Sequence, residues 1–151
     1  MKKLLIALCF VCAPVANAKN TIIDPIQPIK SIYWSDGDSG RITFESGPTI
    51  TFLLNDLDAP ETGGVGAAIG GAKCEKEREL GFLAKEFVVT YTKDREVAVQ
   101  KFHGWDRYGR HIVDLSIDGE SLYYLATHFG SHRSWWHEGS KPLEPKPDWC
   151  S

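Results

Sequence analysis

The sequence predicts a mostly β fold with helices (α+β). Three observations carry that reading: three short β-branched and aromatic runs split by turn residues between Ile29 and Leu54, one long helical period from Cys74 to Tyr91, and two further strand-like runs ahead of a shorter helix. Elements in that order predict a five-stranded Greek-key barrel with the long helix packed at its end, the OB-fold. Unrelated functions share that architecture, so function has to be read from particular residues.

The first strand covers Ile29 to Trp34 and the second Arg41 to Phe44, separated by the turn cluster Ser35 to Gly40. Gly47 and Pro48 make a second turn before a third strand, Thr49 to Leu54, which completes a curled meander. Gly63 to Ala72 reads GGVGAAIGGA, too rich in glycine for a helix or strand, and predicts a mobile loop. It lacks the Gly-Lys-Ser/Thr ending of a mononucleotide-binding loop. In the long helix Leu80, Leu83, Ala84, Phe87, Val88 and Tyr91 recur at helical spacing, which leaves Glu75, Glu77, Lys85 and Glu86 for solvent. Strands over Glu96 to Phe102 and Arg110 to Ile117 follow, then the Asp118-Gly119 turn and a helix from Ser121 to Phe129.

The N-terminus has the order of a secretory leader. Lys2 and Lys3 precede the apolar run Leu4 to Val15, and Ala16-Asn17-Ala18 forms a small-residue cleavage site. The run is too short, and interrupted by Pro14, to span a bilayer, so cleavage after Ala18 is expected, with no membrane attachment afterwards. Cys9 and Cys12 leave with the leader. Removing 18 of the 151 residues leaves 133, one domain at 19–151 with a Pro-rich tail at 138–151, expected to be a monomer. Loss of Lys2 and Lys3 takes the formal charge from -3 to -5, which excludes a generally basic field as the means of holding an anion. Cys74 and Cys150 then remain, in a chain bound for an oxidising compartment, periplasmic or extracellular. A disulfide between them is the expectation, and two buried thiols are the alternative.

Three segments carry chemistry. Asp36-Gly37-Asp38-Ser39 alone is a common acidic turn. Asp58-Ala59-Pro60-Glu61, after the third strand, adds carboxylates that the meander returns toward that turn. Asp38, Asp58 and Glu61, with no cation in their own segments, predict a hard divalent ion among them. Asp106-Arg107-Tyr108-Gly109-Arg110 opens the last strand and sets two guanidinium groups around a glycine, either a solvated turn or a fork for phosphate oxygens.

In this order and with these gaps, the three segments resemble the staphylococcal-type nuclease (thermonuclease) family, whose pattern is a DGDT-like turn, a strand ending in D-x-P-E and a later D-K/R-Y-G-R. The resemblance spans Ile29 to Gly130. It implies an OB-fold barrel and calcium-dependent hydrolysis of DNA and RNA to 3′-phosphate ends. By this resemblance Asp38, Asp58 and the Ala59 carbonyl bind calcium, and Asp36 supports the turn as an outer-shell group. Glu61 acts on the attacking water, Arg110 binds the phosphate, and Arg107 and Tyr108 contact the terminal phosphate region.

One position departs from the family. An arginine usual five residues before the Asp of D-x-P-E is Leu53 here. Either Arg41, just after the acidic turn, reaches the same phosphate and turnover survives, or the site binds without efficient turnover. Losing a charge-assisted contact made mainly in the transition state costs several kcal/mol, about tenfold in rate for each 1.4. Trp135 and Trp136 suit either base stacking or packing of the tail. The five histidines match no zinc spacing. The sequence thus supports an exported nuclease, with a weakly catalytic module for nucleic acid or another anionic ligand, or a disulfide-stapled scaffold, as alternatives.

Overall fold

A computed structural model of the chain describes residues 27–139 and 141–151. The expected leader, its cleavage point after Ala18, Cys9 and Cys12 lie outside the described residues. Strands β1 (Gln27–Trp34), β2 (Ser39–Phe44) and β3 (Thr49–Leu54) form the meander; helix α1 (Glu75–Thr92), strands β4 (Val97–Trp105) and β5 (His111–Ile117) and helix α2 (Leu122–His128) follow. Antiparallel pairing runs β3-β2-β1-β4-β5, and β5 returns to β3 in parallel through Phe52↔His111, Leu53↔Ile112 and Leu54↔Val113. The result is a closed five-stranded barrel with α1 against β1, consistent with the OB-fold.

Curvature comes from bulges. Register slips occur in β1 between Ile29 and Ser31 and in β4 between Val99 and Lys101 and again between Phe102 and Gly104. Each extra residue bends its strand and lets the two longest strands follow the closure. The interior is filled by Ile42, Phe52, Val99, Val113 and Leu122, all fully buried. Trp34 meets Phe52 edge-on at 5.1 Å and donates its indole N–H to Thr92 of α1 at 3.1 Å, so a buried polar bond ties the helix to the barrel.

The face that α1 buries matches the expected one at Ala84 and Val88 and departs from it at Leu83 and Glu77. Glu77, Gly81, Ala84, Val88 and Thr92 form the buried stripe, while Leu83 is 60% exposed and Glu77 only 2%. Close approach, rather than side-chain size, selects this face. A Cβ at Gly81 would stand 2.5 Å from the Glu61 carbonyl oxygen, and one at Gly37 would stand 3.0 Å from the Ala84 methyl. Only the smallest residues let the helix backbone reach those two loops. Glu77, expected in solvent, accepts the Lys73 N–H at 2.6 Å and so satisfies a donor at the helix start. Phe87 and Tyr91 pack against the barrel as expected.

Residues 63–72 form the expected loop, closed on itself by backbone hydrogen bonds. Gly63 N–H donates to Gly70 at 3.0 Å and Gly66 N–H to Ala72 at 2.9 Å. A Cβ at Gly63 or Gly71 would collide with loop backbone, which accounts for glycine at both positions. Cys74 and Cys150 are joined, with Cα atoms 6.1 Å apart, so the two-thiol alternative is excluded. Cys74 also caps α1, so the disulfide fixes the end of the chain to the start of the helix. Among the described residues no helix is long and apolar enough to cross a membrane.

Candidate active site

The acidic turn is built on Asp36. Its Oδ1 accepts the N–H of Asp38 at 3.2 Å, the N–H of Ser39 at 2.8 Å and the Ser39 hydroxyl at 2.9 Å, which commits that carboxylate to holding the turn. From behind, buried His132 donates Nε2–H to the Gly37 carbonyl at 2.7 Å; a carbonyl only accepts, so the partner fixes the tautomer. Asp38 is thereby presented to the segment after β3, where its Oδ2 accepts the Ala59 N–H at 3.0 Å. Burial first, then the charge of Asp36 and those of Asp58 and Glu61, push the Asp38 carboxyl well above its ordinary pKa, against the Ala59 hydrogen bond.

Asp58 ends a two-residue strand, Leu57–Asp58, paired with Arg133–Ser134, and is 1% exposed. Its Oδ2 accepts the Trp149 indole N–H at 2.7 Å, and its Oδ1 stands 3.3 Å from Lys146 Nζ. The same ammonium donates to Glu61 Oε1 at 2.8 Å. Burial raises the Asp58 carboxyl, and Lys146 and Trp149 draw it part of the way back. For Lys146 burial disfavours the charge, but the Glu61 bond and the carboxylates of Asp58, Glu61 and Asp38 outweigh it, so its pKa is raised and it stays protonated. The cluster expected to attract a positive charge thus has one, brought by the tail from 85 residues beyond Glu61.

The Asp106 to Arg110 segment is a tight hairpin between β4 and β5. Asp106 accepts the N–H groups of Tyr108 and Arg110 and the Arg110 side chain at 2.7 Å, while Gly109 takes the positive φ of +78° that the turn requires. Burial would raise the Asp106 carboxyl, but the Arg110 bonds prevail and hold it below its ordinary value. The guanidinium groups of Arg107 and Arg110 flank the exposed Tyr108 ring at 4.8 and 5.8 Å from its centroid. Arg110 immediately precedes His111, which pairs with Phe52, so the cationic hairpin adjoins β3 one residue before Leu53.

Leu53 sits half-buried on the outer face of β3, between Ser39 of β2 and Ile112 of β5. The Arg41 guanidinium stacks 5.0 Å from the centre of Tyr33 on β1, the side of β2 away from β3. The site therefore divides into two groups: Asp36, Asp38, Asp58, Ala59 and Glu61 come together with Lys146 and Trp149, and Arg107, Tyr108 and Arg110 form a separate cationic hairpin. Gly70 closes the loop at 63–72 near Glu61, with a Cβ there falling 4.0 Å from Glu61 Oε2.

Trp135 packs the tail, donating its indole N–H to the Glu144 carbonyl at 3.0 Å, and Trp136 lies against Tyr123 with ring centres 5.7 Å apart. Lys146, Trp149 and His132 were not legible as site residues, although Cys150 lies one residue beyond Trp149 and its pairing with Cys74 carries the tail toward the Asp58 segment.

The carboxylate oxygens of Asp38 and Asp58 are donors of the kind a hard cation takes, and Lys146 supplies the positive charge beside Asp58 and Glu61. Among the described residues no group of three or more His, Cys, Asp or Glu side chains is placed so as to hold a metal ion by itself. The chain matches no protein-family model and none of the curated proteins.

Proposed function

We propose that the protein is an exported, calcium-dependent phosphodiesterase that cleaves DNA or RNA to 3′-phosphate products as a monomer in the periplasm or outside the cell. The observation that carries this reading is the bond from Ala59 N–H to Asp38, which draws Asp-Gly-Asp-Ser and Asp-Ala-Pro-Glu into one acidic cluster. A guanidinium-bearing hairpin on the adjoining strand supplies the complementary charge. The disulfide fits the oxidising compartment that the reading requires.

In this reading Asp38, Asp58 and the Ala59 carbonyl hold calcium, and Asp36 keeps the turn in shape behind them. Calcium, when bound, supplies Lewis-acid polarisation of the phosphodiester and neutralises its charge. Glu61, with 28% of its side chain exposed, orients the attacking water and receives its proton. Arg110 exchanges Asp106 for phosphate oxygens and stabilises charge as it develops on them. Arg107 and Tyr108 contact the terminal phosphate region of the nucleotide. Phosphoryl transfer asks mostly for positioning and charge neutralisation, and these groups are sufficient for it.

A second reading, an OB-fold module that binds an anionic ligand with little or no turnover, is favoured by two observations: Leu53 stands where the family has an arginine, and Arg41 is engaged by Tyr33. A 5′-labelled single-stranded oligonucleotide separates the two. Shortened products ending in 3′-phosphate, formed with calcium and suppressed by EGTA, support the enzyme. Calcium-dependent retention of intact oligonucleotide supports the module.

A further inference from the structure

The acidic cluster is neutralised from within the chain. Lys146 lies in the sequence Pro145-Lys146-Pro147, and the two ring-fixed φ angles hold that segment extended, so little chain freedom remains to be lost when the lysine is presented. The segment is anchored on both sides. Before it, Glu144 accepts the Trp135 indole N–H through its carbonyl at 3.0 Å and the Trp136 N–H through its side chain at 3.3 Å. After it, Arg133 donates to the Asp148 carbonyl at 2.6 Å and stacks on Trp149 at 4.2 Å, Trp149 donates to Asp58, and Cys150 is bonded to Cys74. A charge tethered at both ends has a high effective concentration at its target.

We propose that the tail from Glu144 to Cys150 is a built-in competitor of the metal, with Lys146 as resident counter-ion of Asp58 and Glu61, and that a divalent cation enters only when this lysine withdraws. The inference rests on the calcium reading above. The two positive groups exclude each other, because Lys146 occupies one oxygen of Asp58 and one of Glu61 while Trp149 occupies the other oxygen of Asp58. Calcium affinity is therefore set by the tail as well as by the carboxylates. Cutting or loosening the tail raises that affinity without changing any carboxylate.

The test is calcium binding by titration calorimetry, with calcium-induced thermal stabilisation as a second readout, on the wild-type protein, Lys146→Met and Lys146→Arg. Removing the ammonium leaves Asp58 buried without its partner, so Lys146→Met is expected to melt lower without calcium and to gain more from calcium than the wild type does. The expected result is calcium binding about tenfold tighter or more in Lys146→Met, with Lys146→Arg staying near the wild type because it keeps the charge. Equal calcium affinity in the wild type and Lys146→Met overturns the competition and leaves the metal reading standing. No calcium binding by either overturns both. Tight binding by Lys146→Arg as well as Lys146→Met also overturns it, since charge is then not the cause.

Discussion

Asp38 accepts the backbone N–H of Ala59 at 3.0 Å, and that bond joins the β1–β2 turn to the segment after β3. The same carboxyl is buried beside Asp36, and its pKa is raised for that reason. A carboxyl with a raised folded pKa is a cost to the folded state at pH values above the unfolded value, because the charged form is the disfavoured one. Asp38→Asn keeps an acceptor for Ala59 and removes the charge. It is expected to raise the melting temperature at pH 7 while lowering hydrolysis about a hundredfold or more, as measured by thermal denaturation and nucleotide release.

Leu53 and Arg41 give opposite expectations. Arg41 is held by Tyr33, so Arg41→Ala should change the hydrolysis rate by less than about twofold. Leu53→Arg places a cation on the outer face next to Ile112, two residues from Arg110, and in the hydrolytic reading should raise the rate about tenfold or more. Initial rates on denatured DNA under one set of conditions compare the pair.

Arg110 is expected to act on phosphate and to matter little for folding, since it is a partly exposed group whose protein partner is Asp106. Arg110→Ala should lower kcat about a hundredfold or more and shift the melting temperature by only a few degrees. Steady-state kinetics and a thermal melt on the same preparation check both.

His132 gives the fold a pH dependence. Burial lowers its pKa below 6.5, although the Gly37 carbonyl and Asp36 act in the opposite direction. With the folded value depressed, the unfolded chain binds the proton first, so stability is full above about pH 6.5 and declines as the pH falls toward the folded value. Melting temperatures between pH 7.5 and 5 should fall more steeply for the wild type than for His132→Gln.

Reduction of Cys74–Cys150 should cost about 4 kcal/mol by the chain-entropy model, because the bridge closes a 76-residue separation. Denaturant midpoints with and without reductant measure it.

Much of the barrel was legible because local signals agree with the global fold. Thr49–Leu54 is bounded by the Gly47-Pro48 turn and alternates into the core, and the predicted strand and the observed one coincide. The helix was legible in extent, but its buried face only in part. Apolar periodicity favours Leu83 along with Ala84, whereas the approach to Glu61 selects Gly81, a contact between distant segments that no helical period contains. Glu77 was misplaced for a related reason: a glutamate in a first turn is usually solvated, and here its oxygen serves the Lys73 N–H. The acidic cluster was legible because its turn and strand end are joined by the meander. Its counter-ion was not, because Lys146 reaches Glu61 only through the tail that Cys150 fixes.

The most direct test is the initial rate of acid-soluble nucleotide release from denatured DNA while calcium is titrated, for the wild type and for Glu61→Gln. Saturable, EGTA-reversible release that falls about a hundredfold or more in Glu61→Gln is the predicted result. Release that is indifferent to calcium and to Glu61, or no release at calcium concentrations where binding is complete, would contradict a calcium-dependent hydrolytic centre at Asp38, Asp58 and Glu61.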